Sequence, residues 1–325
     1  MLSVVIDREL MSLRERVERV LELYRRISIQ NRPRWIELGS PSKSSAVASD
    51  SSFVGTLNRY AFTYAVRAFS ALFTGYADDV VRLSRSLVRF DIIELLSGYG
   101  EFGEGVSMRR GVVHHVAKDL EVEVARSVID SMEKPPDLVL FDGSLRSFFY
   151  NRFRGGDDLS INMRRSWEKR VDTLRRIFSI SRTVFISKSH TRQILYRYLK
   201  PEIDGKQVVV PDYALLEKIL EGRPKTPGFL EPIRISSEEA GFGHVLTYAV
   251  LARGSQAYQI SIPGNPGVDE ISEILGMLRY HSPAGYPEPL RQCHYHSRMK
   301  RREFIQLLEA YGIRLESGRE ALGEV

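Results

Sequence analysis

The feature that most narrows the fold is a pair of short, uninterrupted apolar runs, each followed at once by polar residues. Leu138 to Phe141 run continuously within DLVLFDGSL, and TVFISKSH repeats the pattern at 183–190. A strand with one face in water alternates apolar and polar residues, whereas an unbroken run fits a strand covered on both faces. Such strands belong in the middle of a sheet with helices on either side. The neighbouring segments supply those helices. HVAKDLEVEVARSVIDSME at 115–133 carries Val116, Leu120, Val124 and Val128 on one stripe and is stopped by Pro135-Pro136. A charged helix closes at Arg176 to Ser181, and KQVVVPDYALLEKIL places Asp212 near the start of another.

Further strands are expected on both sides of this pair. SSAVASDSSF gives a short apolar strand, Ala46 to Ala48, ending at Asp50, and residues 56–72 read as a strand returning beside it. VVRLSRSLVRFDII adds a third, and the Gly-rich stretch 97–111 is expected to be a loop. HVLTYAVLA and QAYQISIP, joined by Arg253-Gly254-Ser255, form a hairpin, and two helices at about 267–280 and 287–312 close the chain. The class is α/β, a mixed β-sheet flanked by helices. No linker separates two folded domains.

At the N-terminus, residues 7–30 predict a helix. Leu10, Leu13, Val17, Val20, Tyr24 and Ile27 step by threes and fours, the spacing of a narrow a/d seam, while Arg and Glu fill the other faces. Such a seam suits a partner helix or the chain's own domain, and the spacing does not choose between them.

Composition removes several classes. A chain of 325 residues with 43% hydrophobic and 27% charged residues can bury a real core. No run of about 18 apolar residues suggests a membrane span. The start, MLSVVIDREL, turns charged at once and lacks the pattern of a secretory signal. The one cysteine, Cys293, excludes an internal disulfide, so a cytoplasmic location is expected. Of the 47 basic residues 37 are Arg. That suits phosphate recognition, and it equally suits a biased genome or surface ion-pair networks.

The chemistry-bearing residues gather at strand ends, where ligand sites of open α/β sheets lie. Asp50 and Asp142 end two strands that become neighbours if they pair. Two carboxylates brought together repel unless a cation neutralises them, and oxygen ligands suit Mg²⁺ or Mn²⁺. Two ions roughly 3.5–4 Å apart could stabilise both the attacking and leaving oxygens of a phosphoryl transfer. Asp-Gly-Ser after a strand is also an ordinary turn. The 115–133 helix adds Glu121 and Glu123, which point in different directions, and periodicity leaves open which one faces the site. GYPEPLRQCHYHSRMKRREF brings Tyr286 on a turn and His294 on a helix, followed by Arg298, Lys300, Arg301 and Arg302. Lys188, at the end of its own strand, suits a phosphate as a point charge. Adjacent helical residues point about 100° apart, so Cys293 and His294 do not pair as nucleophile and base. There is no G-x-x-x-x-G-K-[ST] phosphate loop.

Taken in order, these blocks resemble the NurA nuclease family of archaea. The likeness runs from the acidic Asp50 strand through LVLFDGSL (138–145), VFISKSH (184–190), PDYALLEKI (211–219), PGFLEPI (227–233) and GYPEPLRQCH (285–294). The resemblance implies an RNase H-like fold, with a helical extension at 1–38 for dimer or partner contact and the nuclease domain at 39–325. It implies a homodimeric, Mn²⁺-dependent deoxyribonuclease, with Mg²⁺ as a substitute metal. Such an enzyme has 5′-to-3′ exonuclease action on single- and double-stranded DNA and endonuclease action on single strands. It works with HerA, a hexameric DNA-translocating ATPase, in end resection for double-strand-break repair by homologous recombination. The matching catalytic positions are Asp50, Glu123 (or Glu121), Asp142, Tyr286 and His294. Asp50, Asp142, Glu123 and His294 would be the metal ligands, with Asp212 as an extra carboxylate and Lys188 beside them for a phosphate. The family usually has Asp-Gly-Ser at the first acidic strand, where this chain has Asp50-Ser51-Ser52. The alternative function is a non-catalytic DNA-binding or scaffold partner of that ATPase. A lower reading is an RNase or transposase-like relative on the same fold.

Overall fold

The computed structural model describes residues 2–57, 61–75, 83–94, 105–149, 158–188, 193–221, 226–237 and 242–313. In chain order the helices are α1 (Leu2–Arg25), α2 (Gly105–Ile129), α3 (Leu145–Phe149), α4 (Asp158–Ile180), α5 (Leu195–Leu199), α6 (Asp212–Leu220), α7 (Val268–Tyr280), α8 (Glu288–Ser297) and α9 (Arg301–Ala310). The strands before α3 are β1 (Ser28–Ile29), β2 (Trp35–Glu37), β3 (Ala46–Leu57), β4 (Ala61–Phe73), β5 (Ser84–Glu94) and β6 (Leu138–Asp142). After it come β7 (Arg182–Ser187), β8 (Pro201–Ile203), β9 (Lys206–Gln207), β10 (Gly228–Leu230), β11 (Ile233–Ser237), β12 (Phe242–Val250) and β13 (Ala257–Pro263).

The two apolar runs lie side by side as β6 and β7, at the centre of a sheet ordered β2-β10-β12-β13-β7-β6-β3-β4-β5, with β11 on β12. The pairs β3–β6 and β6–β7 are parallel; β3–β4, β4–β5 and β13–β7 are antiparallel. Both faces of the central strands are covered, as unbroken apolar sequence requires. Ala46, Ala48, Leu138, Leu140, Val184 and Ile186 pack on one face with residues of α7 and α8, among them Leu275, Leu290 and Cys293. Val47, Val139, Phe141 and Phe185 pack on the other with α2, α3 and α4, through Val128, Phe148 and Leu174. The period-2 alternation of a strand therefore sorts even-numbered residues of β3, β6 and β7 toward α8 and odd-numbered ones toward α2.

Several expectations change. β3 does not stop at Asp50 but continues to Leu57, because β4 pairs with it along its whole length. What ends beside Asp50 is the parallel partner: the β3–β6 register finishes at Ser49 opposite Phe141. Part of the expected loop at 97–111 lies outside the described residues, and from Gly105 onward the chain is helical. α2 starts this early because Val113, Val116 and Ala117 extend its apolar stripe onto Tyr64 and Val66 of β4. The single helix expected over 287–312 is two. The chain bends at Arg298–Lys300 so that Met299 is buried and Phe304 and Leu308 of α9 pack on Ala65 and Val54.

α1 ends at Arg25 rather than 30, since Ile27 leaves the helix to enter a third core cluster and Ser28–Ile29 pairs with β8. Tyr24 packs against that cluster too, while the earlier seam residues Leu10, Leu13, Val17 and Val20 are each about half exposed, at 57%, 48%, 50% and 49%. Among the described residues no helix is long and apolar enough to cross a membrane.

Candidate metal centre

Three functional side chains come from three elements, and the local fold explains each. Asp50 is an even residue of β3, so it faces α8, one step past the point where β6 stops covering that strand. Asp142 is the last residue of β6 and has the same parity. Gly143 follows with φ +111°, a conformation that glycine adopts freely, and its N–H donates to Ile186 O at 2.7 Å. The chain can thus leave the sheet directly after Asp142 without breaking the β6–β7 ladder. His294 comes from α8, whose buried stripe is Leu290, Cys293 and Ser297. Next to that stripe, His294 projects at its edge, toward the strand ends.

Asp50, Asp142 and His294 each offer a ligand atom within 4.8 Å of the others. His294 Nδ1 lies 2.8 Å from Asp50 Oδ2. With Asp50 ionised, its carboxylate only accepts, so the imidazole donates its Nδ1–H in this contact. Asp50 is buried, and its carboxyl is pushed above the ordinary range by that burial and by the charge of Asp142, with Lys118, His294 and the Ser51 N–H opposing. Two carboxylates held together in a buried place are what a divalent cation relieves. The donor set of two carboxylates and an imidazole suits a hard-to-borderline ion.

Lys188 sits where its strand end predicts. Its ammonium is 2.9 Å from Asp142 Oδ2 and 4.3 Å above the Tyr286 ring, with 44% of the side chain exposed. Tyr286 is also brought to the site. Its hydroxyl is buried beside the carboxylates of Asp142 and Asp50 and close enough to feel the charge of both. Burial first, then those two carboxylates, raise its pKa, so the phenol stays protonated.

Of the two glutamates, the structure chooses Glu121. It is fully buried, and Ser51 Oγ donates to its Oε2 at 2.8 Å while Ser49 Oγ donates to its backbone carbonyl at 2.8 Å. Burial, followed by Asp50, pushes its carboxyl up to about 8 even with Lys118 beside it. Its second oxygen has no hydrogen-bond partner among the described residues. Glu123 is a correction: two residues along a helix is more than half a turn, and it faces solvent.

Asp212 is the second correction. It belongs to a different cluster, where Oδ1 accepts from the Ile194 and Leu195 N–H groups at 2.8 Å each and Oδ2 accepts from the Tyr248 hydroxyl at 2.6 Å. It is a buried cap for α5, set among Leu195, Leu215 and Leu216. Cys293 is buried and donates to Ala48 O at 3.2 Å, and burial pushes its thiol up, away from nucleophilic use.

Sequence reasoning missed two contributors. Lys118 lies three residues before Glu121 on α2, and its ammonium is 2.7 Å from Glu121 Oε2 and 3.0 Å from the Asp142 carbonyl. The i,i+3 spacing of a Lys to a candidate ligand was the available signal. Ser51 stands where a glycine was expected. The backbone there is extended strand, so no glycine turn is needed, and the hydroxyl holds Glu121 as a glycine could not.

The described fold has counterparts among solved structures. The NurA nuclease from Sulfolobus solfataricus is 19% identical, aligns over 94% of this chain and 95% of its own, and has a TM-score of 0.66. A NurA structure with manganese is 15% identical over 92% of this chain and 98% of its own, at TM-score 0.63. Another, bound to dAMP and manganese, is 14% identical over 99% and 98%, at TM-score 0.60. No curated protein matches the chain in sequence. The family model of the NurA domain matches residues 111–299, more than half the chain, a span that includes Glu121, Asp142, Lys188, Tyr286 and His294. The chain therefore belongs to the NurA family, whose Sulfolobus member is a nuclease.

Proposed function

We propose that the protein is a metal-dependent deoxyribonuclease whose centre is Asp50, Asp142 and His294, with Mn²⁺ as the working ion and Mg²⁺ as a substitute. The observation that carries this reading is the convergence of those three ligand atoms within 4.8 Å. A buried Glu121 carboxylate, one of whose oxygens has no hydrogen-bond partner among the described residues, and a buried Tyr286 hydroxyl stand beside them. Supporting it from outside are the NurA structures that hold manganese and, in one case, dAMP.

A divalent ion in this place supplies Lewis-acid stabilisation of the charge that develops on phosphoryl oxygens. The chain's own groups do the rest. Lys188 is exposed enough to turn from Asp142 to a phosphate oxygen. Tyr286, kept protonated, offers a hydrogen-bond donor toward the same space. The hydrogen bond between His294 Nδ1 and Asp50 fixes the ring, and Nε2 is the atom left to serve as ligand or base. Arg298, Lys300, Arg301 and Arg302 are all exposed just beyond α8 and suit backbone phosphates.

The finer reading follows the family. It comprises 5′-to-3′ exonuclease action on single and double strands, endonuclease action on single strands, and an RNase H-like core. It also comprises a homodimer and a HerA-type hexameric ATPase partner in end resection in the cytoplasm. The order β5-β4-β3-β6-β7, three antiparallel strands followed by two parallel ones, supports the RNase H-like assignment. The exposed α1 seam supports a helical partner, and the paired carboxylates at the strand ends support phosphodiester chemistry.

The test is a Mn²⁺ titration of cleavage on end-labelled single- and double-stranded DNA with wild type, Asp50→Asn and Asp142→Asn. Wild type is expected to cut only with added metal, and both variants to lose at least about a hundredfold in rate with native circular dichroism. Undiminished cleavage by both variants refutes the assignment.

A further inference from the structure

Lys188 and the cations beyond α8 suit phosphates, which every nucleotide carries, paired or not. One exposed residue of α8 is neither charged nor a member of the metal centre. Tyr295 follows His294 directly and is 75% exposed. A lone exposed tyrosine is unremarkable on a protein surface, but this one is braced from below. Its ring centroid lies 5.4 Å from that of His296, edge to face at 86°, and His296 in turn stacks on Phe69 of β4 at 4.7 Å. Phe69 is the cross-strand partner of Asp50 and shares its face of the sheet. Three aromatic rings therefore lead outward from beside a metal-site carboxylate, each resting on the one before. The outermost keeps a face open to solvent. The charge around it fits an anionic strand. Arg291 and Arg298 stand four residues before Tyr295 and three after it, so both share with it and His294 one exposed face of α8. The one acid of α8, Glu288, accepts from Arg291 Nε and Gln292 Nε2 at 2.6 Å each. That pair is neutral, so Arg298 supplies the net charge of the face, with Lys300 exposed just beyond.

We propose that Tyr295, braced by His296 and Phe69, is a substrate-positioning residue that stacks on an unpaired base next to the scissile phosphate. This rests on the deoxyribonuclease reading and adds to it the form of the substrate at the centre. Aromatic side chains within a cationic surface hold single strands because every base has a π-face, whatever the sequence. In a duplex both faces of a base are covered by its neighbours, so only a single strand or a frayed end offers one to a tyrosine. Tyr295 ligates no metal and moves no proton. It grips the strand equally before and during the chemical step, so its contribution falls on binding.

The experiment compares full-length wild type, Tyr295→Ala and Tyr295→Phe on one single-stranded oligonucleotide, by binding in Ca²⁺ and by cleavage in Mn²⁺. A second series carries a single abasic site moved along the same strand. Tyr295→Ala is expected to weaken binding and raise KM by about tenfold with kcat within about twofold, while Tyr295→Phe, which keeps the ring, stays near wild type. An abasic site at one position is expected to cost wild type about as much, and to cost Tyr295→Ala nothing further, since the two changes remove the same contact. Unchanged binding by Tyr295→Ala overturns the proposal and leaves that ring as an anchor for a protein partner. An abasic penalty that persists in Tyr295→Ala overturns it, as does a fall in kcat at constant KM, which would make the tyrosine a support for His294. Wild type that shows the Tyr295-dependent abasic penalty but cuts nothing in Mn²⁺ removes the nuclease reading and leaves the stacking platform standing. Folded wild type that binds no single strand overturns the platform.

Discussion

Glu121→Gln is expected to stabilise the metal-free protein at pH 7.5 while leaving it almost unchanged at pH 5. Glu121 is fully buried, and burial with the nearby Asp50 charge raises its carboxyl to about 8 from an ordinary value of 4.5. Between those two values the folded chain holds a proton that the unfolded chain releases. Unfolding free energy then falls as pH rises, by up to about 1.4 kcal/mol per pH unit for this one group. From pH 5 to 7.5 the loss comes to about 3 kcal/mol at most, because water entering around an ionised carboxylate lowers the cost. Gln keeps the shape and the acceptor for Ser51, and it cannot ionise. The assay is urea unfolding in chelator, read by Trp35 and Trp167 fluorescence, across pH 5 to 8 for both proteins. Burial holds His115, His244 and His281 at about 4, which adds an acid-side slope that both proteins share and that cancels in their difference. A stability gap that stays constant across the series refutes the reasoning. The same linkage means that an ion arriving beside Asp50 draws the proton off Glu121.

Asp212→Ala should lower stability by roughly 3 kcal/mol or more, since two buried N–H groups and the Tyr248 hydroxyl lose their acceptor. Its Mn²⁺ stoichiometry, measured by calorimetry, should not change. Glu123→Ala, at an exposed position of α2, should alter stability by no more than about 0.5 kcal/mol and leave the cleavage rate at the wild-type level in the DNA assay.

Much of this protein is legible from its residues. The unbroken runs at 138–141 and 184–186 determine two central strands because only burial on both faces suits them. The stripe of Val116, Val124 and Val128 determines α2, and Arg253-Gly254-Ser255 between two apolar segments determines the β12–β13 hairpin. Asp142 followed by glycine marks a strand end, and the structure bears that out. The order of polar blocks was enough to suggest the family.

The rest depends on contacts between distant segments, which local pattern does not carry. Asp50 was expected at a strand end because the apolar run stops there. β4 instead pairs with the whole of β3, and hydrogen bonds to a neighbour extend a strand past its apolar part. The same pairing keeps Ser51 extended, so the replacement of a glycine there costs no turn. Glu121 and Glu123 are equally acidic and two residues apart, and only the packing of α2 against β3 and β4 turns one inward. Asp212 carries the same charge as the metal-site aspartates, yet its neighbours are backbone N–H groups and a tyrosine. Lys118 is one lysine among ten in the sequence until the fold sets it between Glu121 and Asp142. Sequence determined which residues are able to hold a metal and which segments are strands. The parity of β3 and β6 and the docking of α2 and α8 on opposite faces decided which carboxylates share an ion and which one is given to a lysine.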